Sequence, residues 1–156
     1  MIPDKVRRVL DAHGLAALEF EPGSTPTVET AAARIGVENG QIAKSLLFRG
    51  ASGRFVMIVC AGDRKVSSGA VKRLAGEKLS MASADETEAA TGFRPGGVCP
   101  FGVDGVEVYI DESLAAWPRV YPAAGNDATG VPTTFEELLA VTGGKACAVT
   151  AEATPT

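Results

Sequence analysis

The sequence predicts an α+β fold built on a mixed sheet. Helix-period and strand-period segments interleave along the chain, several strand candidates are joined by short turns, and neither a repeat nor a linker interrupts the pattern. One domain accounts for the 156 residues, taken as 1–150 with a frayed tail over 151–156. A chain of about this length removes roughly 70% of its extended surface from water on folding, so it can build a core without metals or disulfides.

Residues 4–13 predict a first helix: Val6, Val9 and Leu10 share a face, and Gly14 stops it. Ala17–Glu21 reads as a short strand ended by Pro22-Gly23-Ser24, and Val28–Arg34 as a second helix capped by Thr27 and stopped by Gly36. Ser45–Arg49 and Phe55–Cys60 are dense apolar runs around Gly50-Ala51-Ser52-Gly53, the signature of a β-hairpin covered on both faces. Ser67–Leu74 predicts a third helix and Leu79–Ala82 a brief strand. Ser83-Ala84-Asp85-Glu86 is a capping box opening a helix to Ala90. Val106–Asp111 and Arg119–Ala123 read as strands. Thr133-Thr134-Phe135-Glu136 opens a helix to Val141, and Ala146–Thr150 is a last strand.

Composition excludes several classes. At 46% hydrophobic and 22% charged the chain is not disordered. A net charge of -4 argues against coating a long duplex, but leaves room for gripping one nucleic-acid end through a local basic patch. Cys60, Cys99 and Cys147 are too few and too far apart for a disulfide framework or a zinc site, which predicts a reduced protein with no metal. The start lacks a signal-peptide core and no apolar run is long enough to span a bilayer, so the expected location is the cytoplasm, away from membranes. No P-loop or dinucleotide fingerprint is present, and no cofactor is expected. His13, the single histidine, falls at a helix end where an imidazole complements the helix dipole.

Two features carry chemistry. Lys44, at the mouth of an apolar strand, either snorkels to the surface or fixes a cation beside a cleft. The loop Arg94-Pro95-Gly96-Gly97-Val98-Cys99-Pro100 is either a rigid turn or a cradle of N–H groups for a developing oxyanion. Cys99 in that loop is a third, thiol-based alternative. Asp104, Glu107, Asp111 and Glu112 fit acid–base pairs or a solvated strand face equally well.

Three segments in order resemble the YbaK/ProRS-associated family of editing domains. They are Thr30–Val37 with Gly40–Phe48, Gly92–Gly102, and Tyr121-Pro122-Ala123-Ala124-Gly125. The resemblance implies a mixed, strongly curled sheet forming a partial barrel among helices, and a trans-editing deacylase that hydrolyses the ester of a wrong amino acid on tRNA. It implies catalytic roles for Lys44 and Gly97, and substrate contacts from Thr30, Ser45, Gly96, Val98, Pro100, Ala124 and Gly125. The Ala124-Gly125-Asn126 turn resembles the branch acting on alanine, serine, threonine or 2-aminobutyrate esters more than the cysteine branch. The implied partners are a mischarged tRNA acceptor end and an aminoacyl-tRNA synthetase. Arg64, Lys65, Lys72, Arg73 and Arg94 are the candidate phosphate contacts, their alternative being an ordinary solvated surface. The rival function is a silent module that binds a tRNA end or an aminoacyl compound without turnover.

Overall fold

The computed structural model describes residues 1–152. Its helices are α1 Asp4–Ala12, α2 Val28–Ile35, α3 Ser68–Ala75, α4 Ala84–Thr91 and α5 Phe135–Thr142. Four of them start where a hydroxyl accepts a first-turn N–H: Thr27 from Thr30, Ser67 from Ala70, Ser83 from Glu86, and Thr134 from Glu137. The fifth helix begins one residue later than its sequence signal because Thr133 is committed elsewhere, exchanging main-chain bonds with Val120. His13 is exposed at the C-terminal end of α1, as its helix-end reading requires.

The strands are β1 Leu18–Glu19, β2 Ala43–Gly50, β3 Phe55–Ala61, β4 Arg64–Val66, β5 Leu79–Met81, β6 Glu107–Asp111, β7 Thr129–Gly130, β8 Lys145–Cys147 and β9 Thr150–Glu152. Five form one sheet in the order β5-β2-β3-β6-β8. The β2–β3 and β2–β5 pairs are antiparallel, while β3–β6 and β6–β8 are parallel, so the sheet is mixed as predicted. Its outer strands β5 and β8 do not pair with each other; among the described residues no pairing closes the partial barrel that the resemblance implied. Two small ribbons, β1–β7 and β4–β9, flank the sheet.

The central strand β3 explains the packing. Val56, Met57, Ile58, Val59 and Cys60 are all fully buried, which a strand achieves only when both faces are covered. Met57 and Val59 meet Val6 and Leu10 of α1, Leu138 of α5, Phe93 and Phe101. Val56, Ile58 and Cys60 face Val71 of α3 and Val149. Each such side chain contributes about 1.5–3 kcal/mol relative to exposure.

The structure departs from the sequence reading at several further places. Arg119–Ala123 is not a strand; it makes single bridges, Tyr121 to Ile42 and Val120 to Thr133. Ala17–Glu21 contracts to Leu18–Glu19. Ala146–Thr150 splits into β8 and β9 because the buried Asp111 carboxylate takes the Val149 N–H at 2.8 Å, interrupting the strand. The chain also does not fray at residue 151: Ala151 and Glu152 pair with Lys65 and Arg64 of β4. The remaining expected tail, 153–156, lies outside the described residues.

Candidate active site

Pairing with β5 covers only Phe48–Gly50 of β2, leaving one edge of its first half uncovered. At that edge the Ala43 N–H donates to the Tyr121 carbonyl at 3.1 Å, and the Leu47 carbonyl accepts from the Ala82 N–H at 2.9 Å. In an antiparallel ladder, alternate residues turn both main-chain groups to the same side. Ser45, between these two, therefore presents its N–H and C=O outward, towards a cavity of about 360 Å³.

The walls of the cavity come mainly from five parts of the chain, with Ala84 and Thr87 of α4 and Thr129 of β7 completing them. The five are the β2 edge, the Thr25-Pro26-Thr27 approach to α2, the inner face of α2 at Ala31 and Ile35, the Met81-Ala82 corner, and the Pro95–Val98 turn with Tyr121 and Ala123 behind it. Most of this lining is apolar, and Lys44 is its only charged residue among the described residues. The Lys44 ammonium donates to the carbonyl oxygen of Arg64 at 2.6 Å and lies 3.5 Å from that of Gly62. The lysine is thus neither snorkelling nor free. The carbonyls of Gly62, in the β3–β4 turn, and of Arg64, at the start of β4, fix the cation beside the cavity, and an ammonium has a third N–H to offer.

The glycine pair divides its work. Gly96 lines the cavity and adopts φ +93, a conformation that favours glycine. Gly97 is buried and its N–H closes the turn onto the Arg94 carbonyl at 3.0 Å, so that group cannot also point at a ligand. A Cβ on Gly97 would stand 2.7 Å from the Cα of Asn126, so its missing side chain lets two loops touch. The cavity-facing position implied for Gly97 therefore belongs to Gly96, with Val98 beside it.

Other implied site residues sit one layer back. Ala124 is fully buried, and its N–H donates at 2.9 Å to the Thr129 hydroxyl, which does line the cavity. Gly125 packs against Pro3 and Phe93. Thr30 forms a reciprocal cap with Thr27 at the start of α2, and Pro100 lines a different depression with Gly102 and Val103. Thr25, Met81 and Thr129 line the cavity without having been singled out in the sequence. No local pattern marks them, because strand pairing and loop return bring them there.

Three of the rival groups are committed to other roles. Cys99 is fully buried, and burial pushes its thiol up to about 12, so a thiolate nucleophile is disfavoured. Asp111 is 1% exposed and accepts from the Ser113 N–H, the Val149 N–H and the Thr150 hydroxyl, a structural clamp rather than half of an acid–base pair. Glu107 is paired with Arg54, whose guanidinium holds its carboxyl below the ordinary range. Among the described residues no group of three His, Cys, Asp or Glu side chains gathers as metal ligands.

Of the candidate phosphate contacts, Lys65, Lys72 and Arg73 are exposed on β4 and α3. Arg64 instead bonds through its guanidinium to the hydroxyl and carbonyl of Thr150, both at 3.2 Å. Arg94 is exposed but ion-paired with Glu88 at 2.8 Å.

A mostly apolar cavity with one fixed cation and outward main-chain groups is a pocket for a small ligand. The model of the aminoacyl-tRNA editing domain family matches residues 22–141, and the chain belongs to that family. It is 44% identical to the uncharacterized protein YwhH of Bacillus subtilis, over 77% of this chain and 76% of that one. It is 36% identical to a proline–tRNA ligase of Bacillus licheniformis over 71% of this chain, a span of only 19% of the ligase. A protein of Enterococcus faecalis provisionally named a Cys-tRNA(Pro)/Cys-tRNA(Cys) deacylase, EbsC, is 24% identical over 92% of this chain and 90% of its own. Among solved structures, a protein provisionally described as a trans-editing enzyme for prolyl tRNA synthetase superposes with a TM-score of 0.85 at 35% identity. That superposition covers 97% of this chain and 99% of the other. No helix among the described residues is long and apolar enough to cross a membrane.

Proposed function

We propose that the protein is a cytoplasmic trans-editing deacylase that hydrolyses the ester of a small amino acid mischarged onto tRNA, with alanine, serine, threonine and 2-aminobutyrate as the substrate class. The observation that carries this reading is that Lys44, the Ser45 edge, Gly96 and Val98 face one cavity of about 360 Å³, a size suited to a small aminoacyl group with part of its ribose. Family membership supports the reaction type, and the likeness to part of a proline–tRNA ligase supports a tRNA substrate and a synthetase partner.

An activated ester needs positioning and carbonyl polarisation more than a strong base, and each is worth about 10² or more in rate. Main-chain N–H groups of Gly96 and Val98 face the acyl oxygen, and Lys44 holds hydroxyl or phosphate groups of the terminal adenosine. Water adds to the ester carbonyl carbon, aided by a ribose hydroxyl of the substrate. The bond to the ribose oxygen breaks, that oxygen takes the proton lost by water, and free amino acid and tRNA leave. The exposed cations Lys65, Lys72 and Arg73 meet backbone phosphates.

The test is release of labelled amino acid from a panel of mischarged tRNAs at catalytic protein concentration. Turnover supports the deacylase; saturable binding of the same tRNAs without release contradicts it and establishes the silent module instead.

A further inference from the structure

The β4–β9 ribbon is a sheet of its own, outside the five-stranded one, yet the Arg64 carbonyl on β4 holds the Lys44 ammonium at 2.6 Å. Asp111, the last residue of β6, fastens that ribbon to the main sheet. Its Oδ1 accepts from the Val149 N–H at 2.8 Å, just before β9. Its Oδ2 accepts from the Thr150 hydroxyl at 2.8 Å and from the Ser113 N–H at 3.1 Å.

The Thr150 hydroxyl has one hydrogen, and Asp111 takes it. Its lone pairs are left to accept from the Arg64 Nε–H at 3.2 Å, while a second guanidinium nitrogen donates to the Thr150 carbonyl at 3.2 Å. The carboxylate thus fixes which way this chain of bonds runs, from Arg64 through Thr150 to Asp111. Hydrogen bonds that end on an ion are roughly twice as strong as neutral ones.

An asparagine would not fit these partners. Three donors converge on the two oxygens, so both must accept. An amide would turn its NH2 either towards the Val149 N–H or towards Ser113 and Thr150. Nor can Asp111 reach the lysine itself. Lys44 pairs with Cys60 and Asp111 with Cys147, and β2 and β6 lie on opposite sides of β3. At about 4.8 Å per strand the two residues sit roughly 10 Å apart.

Resting on the deacylase reading above, we infer that Asp111 and Thr150 are positioning residues for Lys44, acting through Arg64 to set where its ammonium stands beside the cavity. The lysine touches the substrate; the buried carboxylate holds the ribbon that holds the lysine.

The test compares single-turnover deacylation at saturating protein for the wild type, Thr150→Val, Thr150→Ser, Asp111→Asn and a Thr150→Val/Arg64→Met double variant. Thr150→Val keeps the shape and removes the hydroxyl, and its rate is expected to fall about three- to tenfold. Thr150→Ser keeps the hydroxyl and is expected to stay within about twofold of the wild type. Asp111→Asn is expected to fall at least as far as Thr150→Val. The double variant should be no slower than Arg64→Met alone, because both changes cut one connection. Urea denaturation follows each protein in parallel. A Thr150→Val protein that loses stability but reacts at the wild-type rate has lost only a structural bond, which overturns the inference. So do equal losses in Thr150→Val and Thr150→Ser, or effects that multiply in the double variant. Should Asp111→Asn fail to fold, the Thr150 variants decide alone. Absence of wild-type turnover across the whole panel contradicts the deacylase reading, and this assignment with it.

Discussion

The ammonium of Lys44 is held at 2.6 Å by the main-chain carbonyl of Arg64, while the guanidinium of Arg64 is itself anchored on Thr150. A β-ribbon joining residues 86 apart thus sets the position of the lysine that lines the cavity. Arg64→Met cuts the ribbon contact while keeping the main-chain carbonyl. We expect kcat to fall about three- to tenfold, since small misplacements of a positioning group are felt strongly. The salt dependence of kcat/KM should stay unchanged; a shallower salt slope would put the Arg64 guanidinium on a phosphate instead.

Gly97 tests the loop contact. An added methyl would lie 2.7 Å from the Asn126 Cα and 2.8 Å from its nitrogen, both main-chain atoms that cannot swing aside. Gly97→Ala is therefore expected to push the Pro95–Val98 turn away from residues 124–126. A loss of about 1–3 kcal/mol in stability, read by urea denaturation, should accompany deacylation at least tenfold slower.

Acid stability tests the Arg54–Glu107 pair, whose atoms approach to 2.5 Å between β6 and the chain just before β3. The hydrogen bond to Arg54 holds the Glu107 carboxyl below its ordinary value of 4.5. A carboxyl lowered by folding contributes stability that is fully present above its unfolded value and is lost as pH falls through the folded one. The melting temperature should consequently drop less steeply below about pH 4.5 in Arg54→Met than in the wild type. Parallel curves for the two proteins would show that the pair contributes nothing.

The exposed face of α3 makes an electrostatic prediction. Lys72 and Arg73 are solvent-facing and make no ion pair with an acidic side chain among the described residues. Replacing both with alanine should flatten the slope of log affinity for tRNA against log salt by about 0.7–0.9 per lost phosphate contact. An unchanged slope would leave them as an ordinary solvated surface.

Much of the fold was legible because its signals are local. The capping hydroxyls of Thr27 and Ser83 sit where the sequence places them, and the two apolar runs around Gly50–Gly53 pair in register as β2 and β3. What escaped depends on distant partners. β4 is three residues long and exists through its pairing with β9, and the 119–123 segment stays extended without a continuous ladder. The site divides the same way. Lys44 and the Gly/Pro loop are marked by composition, but only the tertiary turn shows that Gly96 rather than Gly97 faces the cavity. Thr25 carries no sequence mark at all, yet folding brings it to the cavity lining.

Single-turnover deacylation by Lys44→Ala, alongside wild-type protein on the same mischarged tRNA, tests the central claim most directly. The side chain is half-buried and bonded only to carbonyls, so far-ultraviolet circular dichroism should show an intact fold. The rate should fall by about 10² or more. A folded Lys44→Ala protein that deacylates at the wild-type rate contradicts the account.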